Sequence, residues 1–328
     1  MRRRDFIVLV GGAATAWSFS ARAQQASIPV VGLLAASSPE ANAARLRAFR
    51  EGLQGAGYVE GQNVKIEYRW AEEDSGRLPE LVAQLVHQRV SVLVTAGGTA
   101  SALAAKAGAA DIPVIFAIAG DPVGLGLVAS LNRPGGNVTG VTSLNVEVAP
   151  KRLELLRELL PSTNAIALLI DTAVPDLAGP ETRLSQAAAQ AAGLQLHILQ
   201  ASNEDELTAV FETLSKLHVG ALAIAPSNFF TIHSEQLAQL TVRHGLPAVY
   251  QFRRFVEAGG LMSYGSSETE YYRLVGNYAA RILNGDKPVD LPVQQSTKVE
   301  LLINLKTAKT LGINVPIPIL GRADEVIE

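Results

Sequence analysis

No cysteine occurs anywhere in this chain of 328 residues. Its absence excludes disulfides, thiolate metal sites, cysteine nucleophiles and a lipid-bearing N-terminal cysteine. Long apolar runs are missing as well: beyond the N-terminal segment, the strongest are short and broken by Gly, Pro or charge, so none can anchor the chain in a bilayer. Nor is there a long basic run, and with a formal net charge of −3 neither nucleic acid nor an anionic membrane surface is an expected partner. The five histidines (His87, His197, His218, His233 and His244) show no metal-ligand spacing. No GxSxG nucleophile elbow occurs, and the Gly120–Gly126 stretch lacks the lysine and spacing of a phosphate loop. No metal, cofactor or catalytic set is expected. What remains is 48% hydrophobic and 18% charged, the composition of a soluble globular protein with material for two core-bearing lobes.

The first segment has the grammar of an export signal. Arg2, Arg3 and Arg4 form a basic start, residues 7–19 are mildly apolar and too short to span a bilayer, and Ala21-Arg22-Ala23 fits a small-x-small cleavage site before Gln24. Arg3-Arg4-Asp5-Phe6-Ile7 resembles the twin-arginine pattern, with an ordinary secretory signal as the alternative. Cleavage after Ala23 removes four of the 28 basic side chains and one of the 31 acidic ones, for a mature net charge of −6. The expectation is an acidic protein free in the periplasm.

From residue 28 onward, strand and helix periods alternate. A β-branched run at 28–34 leads into a helix read over 39–56, with Leu46, Phe49 and Leu53 on one stripe. A strand (63–70), a helix (78–88), a buried strand from Val92, a helix opening at Thr99 and a buried strand from Val114 follow. That order predicts a parallel sheet with helices on both faces and ligand contacts at the carboxyl ends of the strands. The pattern is then written again: strand 166–170, helix 181–192, strand 194–199, a helix to Leu217, strand 219–225, a turn at Pro226, another helix and a strand from Leu246. Gly57 and Gly193, like Pro113 and Pro247, stand some 135 residues apart. The Pro-Gly-Gly turn at 134–136 between the units favours two lobes over one large sheet. A helix read over 268–283 and the closing segments do not extend the repeat and suit crossings between lobes.

The strand ends nominate the site. Gly97 and Gly98 clear side chains where a ligand would meet the backbone, and Thr99 either caps its helix or, with the free first-turn amides, holds an anion. Ser37 and Ser38 offer a similar helix start. Asp121 either caps a turn or serves as counter-charge to an ammonium group. In the second unit Asp171, Thr172, Ser227, Asn228, Tyr250 and Tyr264 fall at corresponding strand ends. Trp70 closes the second strand, where its ring either stacks on a planar ligand or covers the core edge.

Four segments carry a resemblance: 55–74 (GAGYVEGQNVKIEYRWAEED), 111–141 (DIPVIFAIAGDPVGLGLVASLNRPGGNVTGV), 151–161 (KRLELLRELLP) and 303–313 (INLKTAKTLGI). They resemble the periplasmic substrate-binding proteins of ABC importers that include tryptophan- and tyrosine-binding members. The resemblance covers essentially the whole mature chain, and the DPVGLGLV and RPGGNVTGV blocks are the most specific to it. It implies an α/β protein of two Rossmann-like (flavodoxin-like) lobes with parallel sheets, joined by a three-strand hinge, with a ligand cleft between them. By analogy residues 24–142 and 268–288 form the N-terminal lobe, and 143–267 and 289–328 the C-terminal lobe. The implied role is capture of a small amino-acid-like or aromatic carboxylate by lobe closure, with an ABC permease as partner and the protein itself a monomer. The second half departs from the aromatic amino-acid binders at Tyr250–Arg254 and Ser263–Ser267, which leaves the ligand open. A ligand-sensing receptor, or an enzyme on the same fold, is the alternative.

Overall fold

The computed structural model describes residues 28–328; the export signal expected over residues 1–23 lies outside them. Two sheets organise the chain. The first half contributes β1 (Val30–Ala35), α1 (Ala43–Gly55), β2 (Lys65–Trp70), α2 (Leu78–His87), β3 (Val92–Ala96), α3 (Thr99–Gly108), β4 (Val114–Ile118) and β5 (Val138–Ser143). The second half contributes α4 (Ala149–Leu159), β6 (Ala165–Ile170), α5 (Pro175–Ala192), β7 (Gln195–Gln200), α6 (Glu204–Leu217), β8 (Ala221–Ile224), α7 (Asn228–Ile232), α8 (Ser234–Arg243), β9 (Ala248–Tyr250), α9 (Arg253–Glu257) and β10 (Met262–Ser266). The chain closes through α10 (Glu268–Leu283), β11 (Gln294–Ser296), β12 (Val299–Asn304), α11 (Leu305–Thr310), α12 (Ile317–Leu320) and β13 (Glu325–Ile327).

The repeat in the sequence is a repeat in topology. The six-stranded sheet runs β11-β5-β4-β3-β1-β2 and the seven-stranded sheet β13-β12-β10-β9-β8-β6-β7. Strands one to five of each half therefore hold equivalent positions. All pairings in the first sheet are parallel, while the second has one antiparallel pair, β10 with β12. Each sheet is apolar on both faces because helices cover both, as parallel sheets require. In β1, Val31, Leu33 and Ala35 enter one core and Leu34 the other. In β6, Ile166, Leu168 and Ile170 likewise oppose Ala167 and Leu169.

The backbone passes between the sheets three times: after β5, after β10 and after β11. The passages are clipped together. Leu144 N–H donates to Ser266 Oγ (2.9 Å), Ser266 N–H to Asn145 Oδ1 (2.8 Å) and Ser267 N–H to the Lys298 carbonyl (2.9 Å). Because β11 pairs with β5, the returning segment of the first lobe runs to Ser296, eight residues beyond the expected 288.

Helix α10 lies across α1 at close range. Gly52 and Gly276 face each other there, and a Cβ on either would collide with the carbonyl of Arg273 or Phe49. The contact fixes the start of α10, and so Glu268, over the carboxyl edge of the first sheet. Helix α5 begins at Pro175, not at the expected Glu181. Pro180, the sixth residue of this helix, lies past its first turn, and its ring removes one backbone hydrogen bond. The added turns carry Asp176 and Leu177 into the cleft.

Candidate functional site

The carboxyl ends of both sheets meet at a cleft with two compartments. An inner chamber of about 520 Å³, its open mouth included, is walled by Gly97, Gly98, Thr99, Ile118 and Ser143 of the first sheet's edge, by Pro226, Ser227, Asn228, Thr231 and Phe252 of the second lobe, and by Glu268, Tyr271 and Tyr272 of the crossing helix. An outer vestibule of about 1180 Å³ shares Gly97–Thr99, Leu177 and Asn228 and adds Glu73, Asp171, Ser202, Glu204 and His233.

The turn after β3 gives the chamber its floor. Gly97 and Gly98 have φ of +94° and +95°, where a side chain is strained, and a Cβ on Gly97 would sit 2.7 Å from that of Ala36. Helix α3 starts directly afterwards and no side chain caps it. Ser101 Oγ donates to the carbonyls of Ala96 and Gly98. Thr99 Oγ1 donates across the cleft to Asp176 Oδ2 (2.7 Å). The first amides of a ten-residue helix thus face the chamber with the positive end of its dipole.

Opposite them lies a buried charge network. Arg45 Nε donates to Glu268 Oε1 (2.7 Å), and Arg254 donates to Glu268 Oε2 from Nη2 (2.8 Å) and Nε (3.2 Å). Arg45 Nη1 donates to Asn42 Oδ1 and to Asn228 Oδ1, each at 3.3 Å, and its guanidinium lies 5.7 Å from the centre of the Tyr272 ring. Among the described residues its Nη2 has no hydrogen-bond partner. Burial alone would push the Glu268 carboxyl up, but the two guanidiniums outweigh it and hold the carboxyl below its ordinary range. Both charged partners of the Arg45–Glu268 pair are buried, and two cations around one anion leave a net positive charge. Ser143, 4% exposed, has a hydroxyl on the chamber wall without a partner among the described residues. The chamber is therefore a donor-rich, positively charged pocket with apolar flanks.

Of the residues nominated from sequence, Gly97, Gly98, Thr99, Ser227 and Asn228 line the chamber, with Asp171 in the vestibule. Asp171 holds other groups: it accepts from Ala173 N–H (2.9 Å), Ser202 Oγ (2.8 Å) and Ser227 Oγ (2.6 Å), and so positions Ser227. The others lie outside both compartments. Ser37 is buried and accepts from Asn42 Nδ2 (2.8 Å), and Ser38 accepts from Ala41 N–H; because Asn42 folds back on this loop, α1 opens at Ala43 and not at the serines. Thr172 is exposed beside Ser202. Asp121 is exposed and caps its own turn through Val123 N–H (2.9 Å). Trp70 stacks on Tyr68 at 5.7 Å and packs against the first core. Tyr250 is fully buried, with its hydroxyl 2.6 Å from Thr241 Oγ1 and its ring on Phe255. Tyr264 packs into the second core. None of these side chains lines either compartment, although Ser202, the partner of Thr172, does line the vestibule.

Residues 30–327 match the family described as ABC transporter substrate binding protein. The chain belongs to that family. This substrate-binding protein is 26% identical over 278 residues to the tyrosine-binding protein of Clostridioides difficile (strain R20291), covering 81% of this chain and 76% of the relative. Among solved structures it is similar to an ABC domain from Streptococcus pneumonia in complex with L-Trp, at 27% identity, TM-score 0.83, and coverage of 92% of this chain and 100% of that one. A conserved domain protein from Vibrio cholerae superposes equally well, at 26% identity, TM-score 0.83, and coverage of 91% and 99%. Both neighbours share the two-lobed α/β architecture of the binding protein.

Among the wall residues that the strand ends did not nominate are Arg45, Ser143, Leu177, Phe252, Glu268, Tyr271 and Tyr272. Arg45 and Tyr272 sit on helix faces next to core positions, where period marks them as core neighbours. Glu268 carried the available signal: an acid in the first turn of a helix that the repeat could not place.

Proposed function

We propose that this protein is the exported capture component of an ABC importer, binding a small amino-acid-like or aromatic carboxylate between its lobes and presenting the closed form to a permease. The observation that carries the reading is the conjunction, in one chamber, of the Arg45 Nη2 donors, the uncapped start of α3 and the unpartnered Ser143 hydroxyl, flanked by Phe252, Ile118 and Leu177. These groups suit a carboxylate with an apolar body. The binding of L-Trp by one neighbour supports a ligand of that size. Contacts from both lobes exist only in the closed form, so ligand favours closure. Export rests on the Arg3-Arg4 segment and the Ala21-Arg22-Ala23 site.

Isothermal titration of mature protein against a panel of amino acids and aromatic acids tests this. The expected result is micromolar or tighter binding by a carboxylate, weakened roughly ten- to a hundredfold in Arg45→Gln, the factor that follows from losing about 1.5–3 kcal/mol of charged hydrogen bonding. A panel without binding, or equal affinity in the variant, overturns it.

A further inference from the structure

We infer that the ligand is an apolar or aromatic monocarboxylate lacking an α-ammonium group, not an amino acid; this rests on the carboxylate-binding reading above. An α-ammonium nitrogen is two bonds from the carboxyl carbon, about 2.5 Å through space. Wherever the carboxylate meets Arg45, the ammonium must lie in the same chamber and find counter-charge there.

The chamber offers none. Among the described residues Glu268 is its one lining carboxylate, and both oxygens are held by guanidiniums, Oε1 by Arg45 and Oε2 by Arg254. A second cation brought to that group would face two arginines around one acid. Asp121, the sequence's natural partner for an ammonium, caps an exposed turn. Asp171 accepts three hydrogen bonds of its own in the vestibule, and Asp176 takes the Thr99 hydroxyl at the cleft edge. Glu204 and Glu73 are exposed beyond it. Asn228, the amide that faces Arg45, already accepts from it through Oδ1. Arg45 Nη2, which makes no hydrogen bond among the described residues, and Ser143 Oγ, which is buried and without a partner among them, together with the α3 amides, serve an anion. An unpaired ammonium enclosed among them would lose its hydration without replacement.

The test is a set of matched pairs that differ by the ammonium alone: 3-phenylpropanoate against L-phenylalanine, 3-(indol-3-yl)propanoate against L-tryptophan, and 4-methylpentanoate against L-leucine. Each is titrated calorimetrically into the mature protein, with 2-phenylethylamine as the cation without a carboxylate. The expected result is that in at least one pair the monocarboxylate binds tenfold or more tightly than its amino acid, and that the amine does not bind. Binding in which no pair shows that preference sinks the inference while leaving the carboxylate reading intact. Failure of every compound removes both. Asn228→Asp supplies a control in the opposite sense: a carboxylate beside Arg45 lowers the chamber's positive charge, and the preference for the monocarboxylate is expected to fall at least fivefold. An unchanged preference would count against the electrostatic argument.

Discussion

Glu268 joins the wall of the chamber to the stability of the fold at a single residue. Its carboxyl is buried between Arg45 and Arg254, and its native pKa lies below the ordinary 4.5. A depressed pKa means the group stabilises the fold above its unfolded value, and that stabilisation is lost as pH falls through the native value. Glu268→Gln leaves the buried Arg45 guanidinium and the partly exposed Arg254 guanidinium facing a neutral amide, and is expected to destabilise the protein by about 3 kcal/mol at pH 7. The gap between the urea midpoints of wild type and variant should begin to narrow as pH falls below about 4.5 and close only as pH drops through the lowered native value, where the wild-type carboxyl also becomes neutral. A gap that does not narrow at any pH below 4.5 at which the wild type remains folded would show that the residue acts through packing and not charge. The same residue marks the limit of reading the site from sequence. Strand-end logic finds Gly97–Thr99 and Ser227–Asn228, because those positions follow from the parallel sheet. It also nominates Tyr250 and Trp70, since it cannot show which neighbours already satisfy a side chain: Thr241 and Phe255 for the first, Tyr68 for the second. Arg45 and Glu268 meet across 223 positions, and no local pattern announces such a pair.

At the scale of elements, the strands and most helices were legible because period and punctuation agree. Val92–Ala96 and Val114–Ile118 are β-branched runs closed by turns, and they are buried along their whole length. Errors fall where proline or a tertiary pairing decides the boundary, at the Pro175 start of α5 and at β11, whose three residues form a strand only by pairing with β5. The α1–α10 crossing is another contact that only the folded chain displays. Gly276→Ala would drive a Cβ into the Phe49 carbonyl and to 2.9 Å from the Gly52 Cα, so the helices must separate. Overpacking of this kind costs about 1–3 kcal/mol, and thermal unfolding is expected some 2–10 °C lower. Gly55→Ala is the control: nothing lies within 4 Å of its added Cβ, and helix propensity favours alanine, so its unfolding temperature should hold or rise.

For the whole molecule, the question is what sets the balance between open and closed cleft. The lobes touch through groups that require no ligand: Thr99 to Asp176, Arg45 to Asn228, and Arg254 Nη1 to the Ala41 carbonyl (3.3 Å). These contacts give closure a stabilisation of its own, while the clipped crossings at Asn145, Ser266 and Lys298 confine the motion to a hinge. Ligand then adds only the free energy by which it prefers the closed form. Asp176 is the clasp that can be removed with least disturbance, because its carboxylate meets Thr99 at the edge of the cleft and does not line the chamber. Asp176→Ala is therefore expected to raise the open population of the ligand-free protein, read as a larger radius of gyration in small-angle scattering. Saturating ligand should return that radius to the wild-type value. The apparent affinity should fall about two- to tenfold, as a smaller closed fraction dictates. If the radius is unchanged while affinity falls, Asp176 contacts the ligand; if neither changes, the cross-cleft hydrogen bond has no part in closure.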